Sequence, residues 1–275
     1  MSKLRTFSFL APAILAASLA AAPAYADKLD DVLNSGTLRC AVVLDFPPMG
    51  YTDANNEPAG MDVDICKDLA ERMGVEAEIV GVTWAERIPS LISGRSDVAI
   101  ASSSDSLERA KTVGFSIPYM VFQFQALLPA DSTVTSWDEL KDLNVGVAIG
   151  TTYESELQAY KDANWTDSSG EITTFQSEND TYLAVSQGRV AAGIATDTAI
   201  ANIVAADTYQ NIKAGPVAPF GADIVGFMTV RNEYGWLNFL NLYINRAYRD
   251  GTLQDLYGKH IGGTMPDLTT AGVYY

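Results

Sequence analysis

Residues 95–119 read RSDVAIASSSDSLERAKTVGFSIPY, and the organisation of the chain follows from this stretch. Val98, Ala99, Ile100 and Ala101 form a short apolar run of the kind that makes a covered parallel strand, and the polar residues Ser102 to Ser106 break it. Asp105 or Ser106 caps the helical turn that follows, with Glu108 three residues after Asp105, so free backbone N–H groups and Ser104 converge on one point. Arg109 stands one turn in, and a guanidinium there can receive a carboxylate through two parallel charge-assisted hydrogen bonds. The competing reading of Arg109 is a surface cation in a salt bridge, and this segment alone leaves both open.

The same grammar runs outward on both sides. Thr37 to Leu44 alternates Leu38, Cys40, Val42 and Leu44 as a strand does, and Asp45-Phe46-Pro47-Pro48-Met49 reads as a loop. Gly60 and Asp62 open a helix whose Met61, Ile65, Leu69 and Met73 make one buried stripe, closed by Gly74. Val75 to Thr83 is a strand, and residues 84–93 are a helix that stops at Gly94. Strand, helix, strand, helix, strand is a doubly wound pattern with a parallel sheet. Phe115 to Pro129 then crosses over and the pattern restarts. Val145 to Ile149, Glu171 to Phe175 and Val190 to Ala195 are strands, with helices over 153–160, from Asp180 to Gly188, and over 198–205. Residues 214–230 run back through Pro216 and Pro219, and an amphipathic helix from Glu233 to Arg249 closes the chain before Gly251.

Composition narrows the function. Lys3 and Arg5, an apolar run from Phe7 to Ala22, and Ala24-Tyr25-Ala26 make residues 1–26 a secretion signal cleaved after Ala26, with a mature chain starting at Asp27. The full chain has 18 basic and 34 acidic residues, a net charge of −16; the leader holds two of the basic ones and no acid, so the mature charge is −18. That argues against nucleic acid and anionic membrane surfaces as partners. Cys40 and Cys66 fall in a strand and the following helix; a bridge is geometrically possible, and two buried thiols are the expectation. With His260 as the single histidine there is no metal-ligand spacing and no Ser-His-Asp or Cys-His arrangement, so no cofactor is expected.

Two α/β lobes joined by two crossings imply a cleft, and ligands of open α/β sheets bind outside the carboxyl ends of the strands. The polar loops at Asp45–Met49, Ser102–Arg109, Gly150–Tyr153 and Thr196–Thr198 all lie there. Arg109, a donor-rich turn at Gly150 to Thr152, the carboxylate of Asp197, and the aromatics Phe46 and Trp84 suit a zwitterion with a side chain, which is an amino acid.

Six stretches carry a resemblance: SGTLRCAVVLDFPPMGY, AGMDVDICKDLAERMGV, RIPSLISGRSDVAIASSSDSLERAKTVGFSIPY, VGVAIGTTYE, ATDTAI and RAYRDGTLQDLYGKHIG. In order, over nearly all of the mature chain, they resemble the type II periplasmic solute-binding proteins of polar amino-acid ABC importers, bacterial extracellular solute-binding protein family 3. The resemblance implies an α/β fold of two doubly wound lobes joined by two crossing strands, here residues 27–121 with 226–275 and residues 122–225. It implies a periplasmic, monomeric binder that is not an enzyme, that closes around an amino acid, and that docks on a membrane permease. Carried over by position, Arg109 binds the α-carboxylate with Ser104 and the amides of Thr151 and Thr152. Asp197 clamps the α-ammonium beside the Ser102 carbonyl, and Phe46 and Trp84 are the walls.

The plainer readings are core packing for Trp84 and Phe46 and an ordinary helix cap for Asp197. The family's spacing from Gly188-Arg189 would instead put Thr196 at the ammonium position. TWAERIP resembles the helix of acidic amino-acid binders whose Arg reaches the side-chain carboxylate, so Arg87 leans the ligand toward glutamate or aspartate; an exposed Arg87 paired with Glu86 is the alternative. Val43 and Ile149 pull toward a neutral or opine-type ligand. A cyclohexadienyl dehydratase-like lyase on the same fold would need a general acid or base, for which Asp45 is the candidate. A sensory module presenting its ligand to a membrane receptor is the third possibility.

Overall fold

The computed structural model describes residues 27–268; the leader read over residues 1–26 lies outside them. Asp27 caps helix α1 (Lys28–Ser35), and Gly36, at φ 71°, ends it. Strand β1 (Thr37–Val43) follows. The segment read as a loop then holds two short strands: β2 (Asp45–Phe46) and β3 (Gly50–Thr52) pair antiparallel, and β4 (Pro58–Ala59) joins them. Pro47 and Pro48 make the turn of this hairpin, and a turn of prolines is compatible with a ladder that begins and ends on either side of it. Gly60 has φ 117°, and a Cβ there would come within 2.4 Å of the Met49 carbonyl oxygen, so only glycine lets the chain enter helix α2 (Met61–Met73) against that hairpin.

Strand β5 (Glu76–Val82), a 3-10 turn (Trp84–Glu86) and helix α3 (Arg87–Ile92) lead into strand β6 (Val98–Ser104). All seven residues of β6 are buried. It runs further than the apolar run suggested, because Ser103 and Ser104 pair with Gly226 and Val225 and keep their backbone groups in the ladder. Ser102 sits at φ 44°, a conformation that costs a non-glycine residue energy. Its backbone N–H donates to the Tyr119 hydroxyl at 3.0 Å. That hydroxyl and Ser102 Oγ donate to the two oxygens of Asp62, at 2.7 and 3.2 Å.

After helix α4 (Leu107–Ala110), strand β7 (Val113–Phe122) passes through the single residue Gln123 into strand β8 (Phe124–Pro129). The second unit continues with β9 (Val145–Ala148), α5 (Thr152–Asn164), β10 (Ile172–Phe175), α6 (Glu178–Ser186), β11 (Ala192–Thr196), α7 (Asp197–Ala205) and β12 (Ile212–Val217). Strand β13 (Asp223–Val230) returns to the first sheet, and helices α8 (Tyr234–Arg249) and α9 (Thr252–His260) complete it. The sequence reading stopped before α9, which restarts beyond Gly251 at φ 89°. His260 and Lys259 tie α9 to Asp64 of α2 at 2.7 and 2.6 Å.

The sheet orders are β5-β1-β6-β13-β7 and β10-β9-β11-β8-β12. In each, three strands run parallel and a crossing strand enters antiparallel: β13 beside β6, and β8 beside β11. One hydrophobic cluster centres on the first sheet and also takes in Ala148 and Ala199 of the second unit, and two further clusters belong to the second sheet. No helix among the described residues is long and apolar enough to cross a membrane.

The expectation of two thiols is corrected. Cys40 and Cys66 form a disulfide with Cα atoms 6.3 Å apart, because α2 packs over β1 and lays residues 26 apart in sequence against each other. A cross-link of this loop length constrains the unfolded chain. Replacing both cysteines with alanine is expected to lower unfolding stability by about 3 kcal/mol, read as a lower urea midpoint with a steeper slope as the released unfolded chain expands.

Candidate functional site

The carboxyl ends of the strands face each other where β6 and the turn after β5 meet the turn after β9. Ser106 caps α4, its Oγ accepting from the Arg109 N–H at 3.2 Å, but α4 has only four residues. The candidate for an anion receptor is therefore the Arg109 side chain itself rather than a helix end. Its Nη1 donates to the Ser104 carbonyl at 3.2 Å and to Thr152 Oγ1 at 3.0 Å, and its Nη2 donates to the Gly150 carbonyl at 3.2 Å. Thr152 Oγ1 in turn donates to Ser104 Oγ at 2.6 Å. Nε of Arg109 makes no hydrogen bond among the described residues, so one edge of the guanidinium is open to an acceptor.

Arg87 is not an exposed residue paired with Glu86. Glu86 closes a capping box on Thr83, and Arg87 is 3% exposed with its guanidinium 4.7 Å from the Trp84 ring. Nε donates to the Trp84 carbonyl, Nη1 to the carbonyls of Ala101 and Ser102 and to Ser103 Oγ, and Nη2 to the same Gly150 carbonyl that Arg109 holds, all within 3.0–3.3 Å. These are neutral acceptors. Neither arginine has a carboxylate within 4.0 Å among the described residues. Burial, followed by the neighbouring charge of Arg109, draws the Arg87 guanidinium down to about 9, and burial lowers Arg109 as well. Two desolvated cations without an ion-pair partner make a receptor for an anion.

A narrow cavity of about 10 Å³, room for about one water, lies beside these groups. Phe46, Trp84, Arg87, Ser102, Ser104, Thr151 and Thr152 line it, so seven of the nine residues singled out from the sequence meet at one place, and Arg109 is bonded to two of them. Phe46 and Trp84 touch edge to face with centroids 5.0 Å apart, and Phe122 stacks edge-on behind Phe46 at 6.0 Å. Trp84 Nε1 is buried with no acceptor. Thr151 caps α5, accepting from the Glu154 N–H, and Thr152 opens that helix, so its N–H belongs to the unpaired first turn.

Asp197 is not in this cavity. It lines a separate cleft with Pro48 and His260, and its Oδ1 accepts from the N–H groups of Gln123 and Thr198 at 3.2 and 2.8 Å. The carboxylate of Asp197, the residue expected as an ammonium clamp, is turned to the crossing at Gln123. Thr196, the alternative position, does line the cavity, but its Oγ1 caps α7 by accepting from Ala199 N–H at 3.2 Å. The Ser102 carbonyl, expected beside the ammonium, accepts from Arg87. Asp45 also lies elsewhere, accepting from the Glu178 N–H at 3.1 Å. The sequence reading missed Phe122, Tyr153 and Asp223, which line the cavity. An acid opening the otherwise apolar strand β13 was the available signal for Asp223.

Residues 38–263 match the family of bacterial extracellular solute-binding proteins, family 3. The chain belongs to this family. Its relatives include the L-cystine-binding protein TcyJ of Escherichia coli K12, 29% identical over 245 residues that cover 88% of this chain and 89% of that protein. The putative ABC transporter arginine-binding protein 2 of the same organism is 28% identical over 230 residues, 81% of this chain and 90% of that one. Cyclohexadienyl dehydratase of Pseudomonas aeruginosa PAO1 is 34% identical over 119 residues, 42% of this chain and 44% of the enzyme. Among solved structures, the ancestral amino acid-binding protein AncCDT-1, a precursor of cyclohexadienyl dehydratase, superposes with a TM-score of 0.76 at 30% identity over 85% of this chain and 99% of that one. The relatives that match over most of this family member are binding proteins.

Because Asp197 faces the crossing and not the cavity, Asp197→Asn, which keeps the acceptor for Gln123, is expected to leave ligand affinity within about twofold, measured by titration calorimetry.

Proposed function

We propose that this solute-binding protein captures an amino acid between its two units and delivers it to the membrane permease of an ABC importer. It acts as a monomeric binder in the periplasm, not as an enzyme, after cleavage of its leader behind Ala26. The lobes are residues 27–121 with 226–275 and residues 122–225, the last three residues of the second, 223–225, already opening the strand β13 that pairs in the first sheet. The observation that carries the reading is the pair of guanidiniums, Arg87 buried and Arg109 half-buried, which share the Gly150 carbonyl across the gap between the sheets and lack a carboxylate partner among the described residues. A ligand carboxylate that takes the open edge of Arg109 supplies the missing charge. TcyJ and the arginine-binding protein, both binders of amino acids by name, support the class.

The cavity's charges lean the ligand toward glutamate or aspartate. Arg87 and Arg109 bring two positive charges and Asp223 one negative, and a net charge of about +1 complements an acidic amino acid carrying −1. Most Arg87 donors are held by carbonyls, so it acts chiefly by its charge and by the remaining N–H of Nη2. The cavity is too narrow for an amino acid while the Arg–Gly150 bonds stand, so entry requires the units to part and the arginines to exchange acceptors.

A thermal-shift screen of the chain from Asp27 onward against the twenty amino acids, opines and carboxylates tests the reading, with the largest rise expected for glutamate or aspartate. No rise with any amino acid would remove it. Arg109→Ala is expected to cost at least about 2 kcal/mol of binding, thirtyfold or more in Kd, with the far-UV spectrum unchanged. Arg87→Gln is expected to weaken glutamate more than glutamine; equal losses would show that Arg87 does not read the side chain.

A further inference from the structure

We infer that Asp223 receives the ammonium group of the ligand, so that the first sheet holds both charged ends of the amino-acid backbone. The inference rests on the amino-acid reading above and assigns the cation receptor within that site. A zwitterion in a closed cavity needs an anionic acceptor, because an ammonium taken out of water without one is strongly disfavoured. The second sheet offers none at the cavity. Asp197 is turned to Gln123 and Thr198, Thr196 is a neutral cap, and Glu154 accepts from the Gly150 N–H at 2.7 Å.

Asp223 has the required features. It is the only carboxylate among the residues lining the cavity and is 8% exposed. The first residue of β13, it is held by pairing opposite Phe122, another cavity wall. It has no cationic side chain within 4.0 Å among the described residues. Ser104 lines the cavity with it, and Ser104 Oγ accepts from Thr152, which is bonded to Arg109. The charged groups around Asp223 are Arg87 and Arg109, which favour its ionised form, and Asp105, which opposes it. Desolvation outweighs the arginines and pushes the carboxyl up to about 6.

That position gives the inference a sign. Above pH 6 the carboxylate is present to pair with an ammonium; below it the group is neutral and the pairing is lost. Affinity for an amino acid is expected to fall about tenfold from pH 7 to pH 5. A ligand of the same shape without the ammonium does not need this charge, and its affinity holds or rises as the pH falls.

The test is calorimetric titration of the chain from Asp27 onward with L-glutamate and with glutarate, its des-amino analogue. At pH 7.5 Asp223→Asn is expected to weaken glutamate at least about thirtyfold while glutarate holds or gains affinity. The wild-type protein titrated with both ligands from pH 7.5 to pH 5 gives the same contrast without a substitution, should the variant fold poorly. Equal loss of both ligands in Asp223→Asn, or parallel pH profiles for the two in wild type, would overturn the inference and leave the amino-acid reading standing. Should the wild type take a neutral amino acid instead, the same contrast is read on that amino acid and its des-amino acid. Failure of the wild type to bind any amino acid would overturn the reading itself and this inference with it.

Discussion

Two guanidinium groups withdrawn from water at the end of a fully buried strand set the terms for everything around them. A cation can be desolvated only if its N–H groups find acceptors, and here the acceptors are backbone carbonyls at strand ends. Ala101, Ser102 and Ser104 supply them from β6, Trp84 from the turn after β5, and Gly150 from the far sheet. Most of the N–H groups find neutral acceptors, while neither charge has an ion-pair partner among the described residues.

Holding such a site requires a rigid floor. Asp62 accepts from Tyr119 and Ser102 beneath the end of β6 and is pushed up to about 7 by burial, the hydroxyls opposing the shift. This network holds Ser102 in its left-handed conformation, and with it the carbonyl that Arg87 grips. The disulfide and the contacts of α9 fasten α2, which carries Asp62, to its neighbours on either side.

Few polar bonds cross between the two units. Arg87 and Arg109 reach Gly150, Thr152 reaches Ser104, and Asp45 accepts from Glu178 at the start of α6. The chain itself crosses at Gln123 and over residues 218–222. A small number of exchangeable bonds around two narrow crossings suits a protein that must open and close, because a ligand that replaces those bonds can shift the balance through its own contacts.

The sequence by itself determined the alternation of strands and helices, the two crossings, and the convergence of Arg109, Ser104, Thr151, Thr152, Phe46 and Trp84. These follow from periodicity, turn residues and the rule that strand ends carry ligands, all local or nearly local properties. Tertiary structure decided what depends on partners distant in the chain. Whether Cys40 meets Cys66 turned on how α2 lies across β1. Whether Arg87 is exposed turned on carbonyls from residues up to 63 positions away. Asp197 was legible as a polar residue at a strand end, but the side to which it turns depended on the Gln123 crossing. Asp223 was hidden for the same reason in reverse: an acid at the start of a mostly apolar strand does not say where its carboxylate goes, and only the return of β13 beside β6 carries it into the cavity. Local pattern encodes which elements form, while charge pairing across a cleft depends on distances that only packing defines.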